Sequence, residues 1–223
     1  LLRQTFSQTA YLALPTTALL LTLRIPLVRL AFGAQEFPWE ATVLTGQILA
    51  ILSVAIFSQT LCEITRRAFY AFTDTKTVLV IDGLATVFNL IFITIAVNFN
   101  WGILGLTAGI SLSNLIRLIL FTAKLEKKVN LITKQAIYSW LKMGASALVS
   151  ALVSWQTMRL LDRFIFDTSR VIPLVFLTVF STLLGGGAYL ASSWILKVEE
   201  FTQFTNLAQK IIKKSLPFKT KKT

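Results

Sequence analysis

Long runs of apolar residues without a charge alternate with short basic segments along this chain. A helix that crosses the hydrocarbon core of a bilayer, about 30 Å thick, needs about 20 mostly apolar residues. The runs that reach this length predict spans at about 9–32, 41–62, 78–97, 103–123, 139–160 and 171–196. The pattern therefore predicts an all-α, polytopic integral membrane protein with six transmembrane helices.

Two of these spans come from one charge-free stretch, 83–116, which is too long for a single helix. Asn98, Asn100 and Gly102 interrupt it, and these residue types favour turns. Trp101 between them is typical of a membrane interface. We therefore predict two helices joined by a tight turn.

The composition agrees with a membrane protein and excludes several functional classes. Of the 223 residues, 55% are hydrophobic and 14% are charged. Soluble domains are about one quarter charged. The chain has no His and a single Cys, Cys62, which excludes a His-based general base, a Cys/His metal cluster and an internal disulfide framework. We predict no catalytic residues, no metal, no cofactor and no enzymatic activity.

The net charge of +12 is distributed as in a membrane protein rather than a nucleic-acid-binding protein. Lys and Arg lie mainly between the apolar runs and in the tail. With six spans, both termini lie on the same side, which carries most of the 22 Lys and Arg, while the opposite side carries Arg159, Arg163 and Arg170. This asymmetry predicts that both termini of the segment are cytoplasmic and that no nucleic acid is bound.

The same side of the membrane holds a predicted cytoplasmic loop at 124–138 and a basic cytoplasmic tail at 197–223. In the tail, apolar residues recur at helical spacing among lysines, which predicts a surface helix on the anionic leaflet; they are Phe201, Phe204, Leu207 and Ile211. A disordered, solvated tail is the alternative. The chain starts without Met and lacks the pattern of a signal peptide, so we expect a fragment of a larger protein.

Four polar residues inside the third and fourth spans are candidates for lining a polar cavity, because charges in a membrane tend to face a cavity or a partner. Asp82 lies about one turn inside the third span, and Arg117 lies in the last third of the fourth. They either pair and line a cavity, or each side chain extends separately to the interface. Asn89 and Asn114 lie deeper, and interhelical packing is the alternative role for both.

Glycines mark two further positions in the spans. Gly105 and Gly109 form a small-xxx-small pair, which allows two helices to approach closely. Gly185, Gly186 and Gly187 follow one another in the sixth span, where three glycines weaken a helix. The triplet predicts a bend or a shallow groove for a lipid chain, with packing alone as the alternative.

Several motifs resemble the MurJ/MviN lipid II flippase family. The segment 67–77 resembles the family loop R-A-F-Y-A-x-x-D-T-K/R-T-P, and its matching residues are Arg67, Ala68, Phe69, Tyr70, Ala71, Asp74, Thr75, Lys76 and Thr77. The segment 26–33 resembles a family helix end, and 102–106 resembles the G-x-x-G-L-A opening of the following span. The similarity covers about 12–201, and the loop at 67–77 is its most specific part.

The resemblance implies that the six spans are the ninth to fourteenth of a fourteen-helix exporter in the bacterial inner membrane. Residues 1–123 would be four helices of its C-terminal lobe, and 139–196 would be two additional helices that border a lipid-tail groove including Gly185–Gly187. The family moves undecaprenyl-linked lipid II to the outer leaflet by alternating access, which implies lipid II and membrane lipids as partners. The alternatives are another exporter of the same superfamily, a membrane-embedded lipid-modifying enzyme, or a membrane scaffold.

Overall fold

The computed structural model describes residues 2–33, 37–130, 132–164, 171–202 and 204–205. Within these residues the chain forms helices α1 (Leu2–Thr22), α2 (Arg24–Phe32), α3 (Trp39–Ala71), α4 (Thr75–Asn98), α5 (Gly102–Val129), α6 (Lys134–Phe164) and α7 (Val171–Ile195).

The lengths and composition of these helices suit a bilayer. Five of them, α3 to α7, are long and apolar enough to cross a membrane, and α1 with α2 makes a sixth if the bent pair counts as one span. A helix bonds its own backbone amides to its own carbonyls, which is required where no water can do so. The predicted fold class, an all-α polytopic membrane protein, is confirmed.

The first predicted span, 9–32, is divided into two helices. The chain bends by 73° between α1 and α2, at Leu23. Pro26 explains the position of the bend, because proline lacks the amide hydrogen that would donate to the carbonyl of Thr22, and its ring crowds that carbonyl. Pro15, in contrast, lies inside α1 without breaking it.

The predicted loop at 124–138 is largely helical, which differs from the prediction. α5 continues to Val129 and α6 begins at Lys134. Phe121 and Leu125 are fully buried in one cluster with Phe69 of α3, so tertiary packing holds the end of α5 in a helix. Asn130 then adopts a left-handed conformation and ends the helix.

The long helices lie in a row in the order α4, α5, α3, α1, α6 and α7, with α2 placed between α3 and α7. One buried cluster joins α1, α3, α4 and α5 and includes Phe6 and Phe69. A second cluster joins α1, α6 and α7 and includes Tyr11, Met143 and Tyr189. Helix α1 contributes to both clusters and therefore connects the two parts of the row.

The basic connectors lie together at one end of the bundle. Lys128 near the end of α5 pairs with Asp74 in the turn between α3 and α4. At the start of α6, Gln135 donates a hydrogen bond of 2.7 Å to Glu199, which follows α7. We call this the basic end, defined by the turn 72–74, residues 130 and 132–133 and residues 196–202. That it faces the cytoplasm stays a prediction.

The first residues of the predicted surface tail pack on the bundle. Val198 is buried in the cluster of Tyr11 and Met143, and Phe201 packs against the same cluster. The start of the tail is therefore a part of the helical bundle. Leu207, Ile211 and the rest of 206–223 lie outside the described residues.

Candidate functional site

The charged residues of the third and fourth predicted spans meet between α3, α4 and α5. Nη2 of Arg66 donates to Oδ1 of Asp82 at 3.2 Å, and Nε of Arg117 lies 3.1 Å from the same oxygen. The second contact is an ion pair by distance without the geometry of a hydrogen bond. The three side chains are between 20% and 30% exposed, so each is only partly covered by the helices around it.

Two more polar side chains extend this ion cluster. Glu63 pairs with Arg66 one turn along α3, and Nη1 of Arg117 donates to Oδ1 of Asn114 at 3.0 Å. Two arginines and two carboxylates give the cluster no formal net charge, which lowers the cost of placing it near hydrocarbon. It links three helices and presents both hydrogen-bond donors and acceptors.

Asn89 lies about two turns deeper on α4 than Asp82 and faces α5. Its Oδ1 is buried without a hydrogen bond, and a Cβ added to Gly109 would lie 3.3 Å from that oxygen. A Cβ at Gly105 would similarly crowd Ala96 at 2.9 Å. The structure thus brings Asp82, Asn114 and Arg117 together, and it places Asn89 at the close contact of α4 with α5.

The loop motif at 67–77 forms the turn from α3 into α4. Ala68 and Phe69 are buried, and the Phe69 ring lies 5.7 Å from the ring of Phe121 on α5. The ammonium group of Lys128 lies 5.4 Å from the centre of the Phe69 ring, a favourable cation–π distance. These contacts fix the end of α3 against α5.

Asp74 begins α4 as its N-cap. Its Oδ1 accepts a 3.2 Å hydrogen bond from the amide of Thr77, and its Oδ2 accepts one of 2.9 Å from the Thr77 hydroxyl. The hydrogen bond from Lys128, followed by those from Thr77, lowers the pKa of Asp74 from 3.8 to about 2. Asp74 and Thr77 therefore have a structural role in the turn.

The other matching residues of the motif, Arg67, Tyr70, Ala71, Thr75 and Lys76, are exposed. Burial in the turn therefore does not explain why these residues match the family motif. Arg67 lines one end of a groove between α1 and α3, together with Glu63 and Thr60.

The three glycines of α7 differ in their surroundings, and α7 passes through them without a break. The carbonyl of Gly185 accepts a 2.8 Å hydrogen bond from Ser150 of α6, and a Cβ added to Gly185 would overlap Oγ of Ser154. A Cβ added to Gly186 or Gly187 would meet nothing within 4 Å. Helix α7 is continuous at these positions, and Gly185 lies in the packing contact of α7 with α6.

A largely apolar cavity of about 330 Å³ lies between α1, α3, α5 and α6. Its walls include Phe6, Leu14, Phe57, Leu118, Trp140 and Met143. These side chains offer a surface for a hydrocarbon chain at a place that differs from the glycine triplet.

The model of the family named lipid II flippase MurJ matches residues 1–177, which is most of the chain. The chain belongs to the MurJ family. The probable lipid II flippase MurJ of Rhizobium meliloti (strain 1021) is 36% identical over 81 residues, which are 36% of this chain and 15% of that protein. The match thus covers a small part of that relative's length. No solved structure matches the chain.

The family match confirms the resemblance inferred from the loop motif and the glycine-containing span. In this MurJ-family chain, four residues of the motif hold the turn in place through burial or hydrogen bonds; they are Ala68, Phe69, Asp74 and Thr77. The other motif residues are exposed. Sequence reasoning missed the participation of Glu63 and Arg66 in the ion cluster. Glu63 and Arg66 are three residues apart on a helix that continues beyond the apolar run. This spacing places two side chains close together and indicates that they pair.

The pKa of Asp74 leads to a pH-dependent prediction. The pKa is lowered in the folded protein, so the contribution of Asp74 to stability is present at neutral pH and is lost as the pH falls from about 4 towards 2. Asp74→Asn keeps a capping oxygen but removes the titrating carboxylate. We expect the thermal stability of the full-length protein in detergent to fall more steeply for wild type than for Asp74→Asn over this interval.

The matched control for that measurement is Glu40→Gln, which removes an exposed carboxylate at the start of α3. It should retain the steep wild-type pH profile. Parallel profiles for wild type and Asp74→Asn would show that the capping and ion-pair contacts of Asp74 do not stabilise the fold.

The glycine triplet provides an internal comparison. Gly185→Ala should destabilise the α6–α7 pair by about 1–3 kcal/mol, because the methyl group collides with Ser154. Gly186→Ala should be neutral or stabilising by up to about 1 kcal/mol, because alanine favours the helix and the site is open. Thermal unfolding in detergent tests both, and equal behaviour of the two variants would contradict this packing of α6 and α7.

A double-mutant cycle tests the ion pair between Asp82 and Arg117. Asp82→Asn and Arg117→Gln should each destabilise the protein, and the double variant should lose less than the sum of the two. We expect a coupling free energy on the order of 1 kcal/mol, because the pair is partly buried. Strict additivity of the unfolding free energies would mean that the two side chains act independently.

Proposed function

We propose that this chain is part of a lipid II flippase, which moves the undecaprenyl-linked peptidoglycan precursor from the cytoplasmic to the outer leaflet by alternating access. The match of the MurJ lipid II flippase model to residues 1–177 carries the proposal. The similarity to a relative named as a probable lipid II flippase supports it. The protein contributes to cell wall synthesis by transport, without catalysing a covalent step.

The distribution of polar and apolar surfaces supports this function. A lipid flippase must provide a polar path for the headgroup while the prenyl chain remains in an apolar environment. The cluster of Glu63, Arg66, Asp82 and Arg117 supplies polar groups within helices long enough to cross the membrane. The cavity between α1, α3, α5 and α6 supplies an apolar surface for a hydrocarbon chain.

The arrangement of the connectors supports an inner-membrane topology with both termini of the segment in the cytoplasm. The turn at 72–74, residues 130 and 132–133 and residues 196–202 share the basic end. Basic residues concentrate on the cytoplasmic side of membrane proteins. In the whole transporter, residues 1–123 would belong to the C-terminal lobe, and α6 and α7 would be two additional helices.

Complementation tests the proposed function. The full-length gene should restore growth to bacteria depleted of their own lipid II flippase. Lipid II should then become accessible, in intact cells, to a lipid II-cleaving enzyme added outside. The full-length gene should not rescue cells that lack a polysaccharide-lipid flippase, because the family match is to the lipid II transporter.

Membrane insertion must be measured in the same cells, for example by protease protection of an epitope after residue 223. Correctly inserted protein that neither restores growth nor exposes lipid II would refute the lipid II assignment. Rescue of the polysaccharide-lipid strain instead would assign the chain to another exporter of the superfamily.

A further inference from the structure

The groove between α1 and α3 has walls rich in hydroxyl and amide side chains. It consists of adjoining cavities of about 480 Å³ and 350 Å³, which share Thr9, Ile56 and Thr60. The polar side chains along it include Thr5, Gln8, Thr9, Thr16, Gln59 and Thr60. These cavities form one continuous groove on two neighbouring helices, in which the polar side chains lie among apolar ones such as Leu12 and Ile56.

Helical periodicity explains why these residues share the groove. On α1, Thr5, Thr9 and Thr16 are separated by four and seven residues, which places them on one face. On α3, Thr60 and Arg67 are separated by seven residues and also share a face. The groove therefore extends from Thr16, in the second half of α1, to Arg67 near the basic end.

This surface differs from the lipid-compatible surface of the same chain. The outer face of α4 presents mainly large apolar side chains, among them Leu79, Leu84 and Leu90, each more than half exposed. The groove presents amides and, at its end, a carboxylate and a guanidinium. Because polar side chains in hydrocarbon are costly, the hydroxyl, amide and charged groups of the groove favour an occupant that offers them hydrogen bonds.

The hydroxyl groups of the groove retain the capacity to bind a ligand. The Thr16 hydroxyl donates to the carbonyl of Leu12 at 3.0 Å, and the Thr60 hydroxyl donates to that of Ile56 at 2.8 Å. Each oxygen can still accept a hydrogen bond from outside the helix. Gln59 on the same wall has an amide that can both donate and accept.

Charge is concentrated at one end of the groove. Glu63 pairs with Arg66, which points into the ion cluster. The exposed guanidinium of Arg67 is the cationic group that lines the groove. Neutral hydrogen-bonding groups along the groove and a guanidinium at its end complement a saccharide that carries a phosphate.

We propose that the groove between α1 and α3 binds the saccharide-phosphate headgroup of a lipid-linked precursor, with Thr and Gln side chains contacting the sugars and Arg67 contacting the phosphate. This inference rests on the proposed flippase function, and it identifies headgroup-binding residues within this chain.

The test uses two threonines at similar depth. Thr60 lies six residues deeper on α3 than Arg66, and Thr86 lies four residues deeper on α4 than Asp82, which bonds to Arg66. Both hydroxyls donate to the carbonyl four residues earlier at 2.8 Å. Thr60 lies in the groove, whereas Thr86 lies on the apolar outer face of α4. They therefore differ mainly in the surface that they occupy.

Thr60→Cys and Thr86→Cys are introduced separately into the full-length protein, with Cys62→Ala and any other native cysteine replaced. Membrane vesicles are treated with a charged, membrane-impermeant methanethiosulfonate reagent. We expect Thr60→Cys to react on the order of tenfold faster than Thr86→Cys, because the reagent enters a polar groove but not hydrocarbon. Purified lipid II should slow the reaction of Thr60→Cys and leave Thr86→Cys unchanged.

A second comparison tests the role of each part of the headgroup. Undecaprenyl phosphate, which lacks the sugars, should protect Thr60→Cys less than lipid II does. Two double variants test Arg67. When Arg67→Gln is combined with Thr60→Cys, lipid II should protect the cysteine less. When Arg67→Lys is combined with Thr60→Cys, lipid II should protect the cysteine more than in the Gln variant, because the positive charge remains. The reaction rate without lipid II reports whether the groove itself is intact in each variant.

Two results would overturn the inference. Equal reaction rates for the two cysteine variants would mean that the groove faces lipid or another helix of the full-length protein. The parent protein is the full-length protein whose native cysteines have been replaced. If it rescues flippase-depleted cells, and if Thr60→Cys reacts fast but is not slowed by lipid II, headgroup binding in the groove is refuted while the proposed function stands. Failure of the parent protein to rescue would instead refute the proposed function.

Discussion

A charged or polar group inside a bilayer must find its partner within the protein, because hydrocarbon supplies none. Asp82 satisfies this requirement by lying between Arg66 and Arg117, which come from two other helices. Glu63 brings the formal charge of the cluster to zero. The contact of α3, α4 and α5 is therefore set both by packing and by the need to neutralise these four side chains at one point.

The same constraint separates the surfaces of the bundle. Helix α1 lies in the middle of the row and supplies apolar residues to both buried clusters, Phe6 to one and Tyr11 to the other. Its remaining face carries Thr9 and Thr16 and lies beside α3. Two sides of α1 are occupied by the cores, and Thr9 and Thr16 lie on the side that faces the groove.

The sequence predicts the long helices well because a bilayer requires long apolar runs. The sequence is less informative where contacts between distant residues determine the local structure. The pairing of Asp74 with Lys128, 54 residues apart, determines how the turn meets α5. Gly185 and Gly186 are equivalent in the sequence, and only the rotation of α7 against α6 makes the first a packing site and the second an open one. The bend at Leu23 follows from Pro26, but its angle depends on the contacts of α2.

Helix α3 links the ion cluster to the polar groove. Arg66 and Arg67 are consecutive, and because successive residues on a helix are turned by about 100°, one points towards Asp82 and the other lines the groove. A rotation or shift of α3 relative to both α1 and α4 would therefore change the groove and the distance from Arg66 to Asp82 together. Alternating access requires a ligand to have different affinities for the two states. A ligand in the groove would gain such a difference if the arrangement that it favours also alters the ion pairs of α3 with α4, which would couple the groove to the ion cluster.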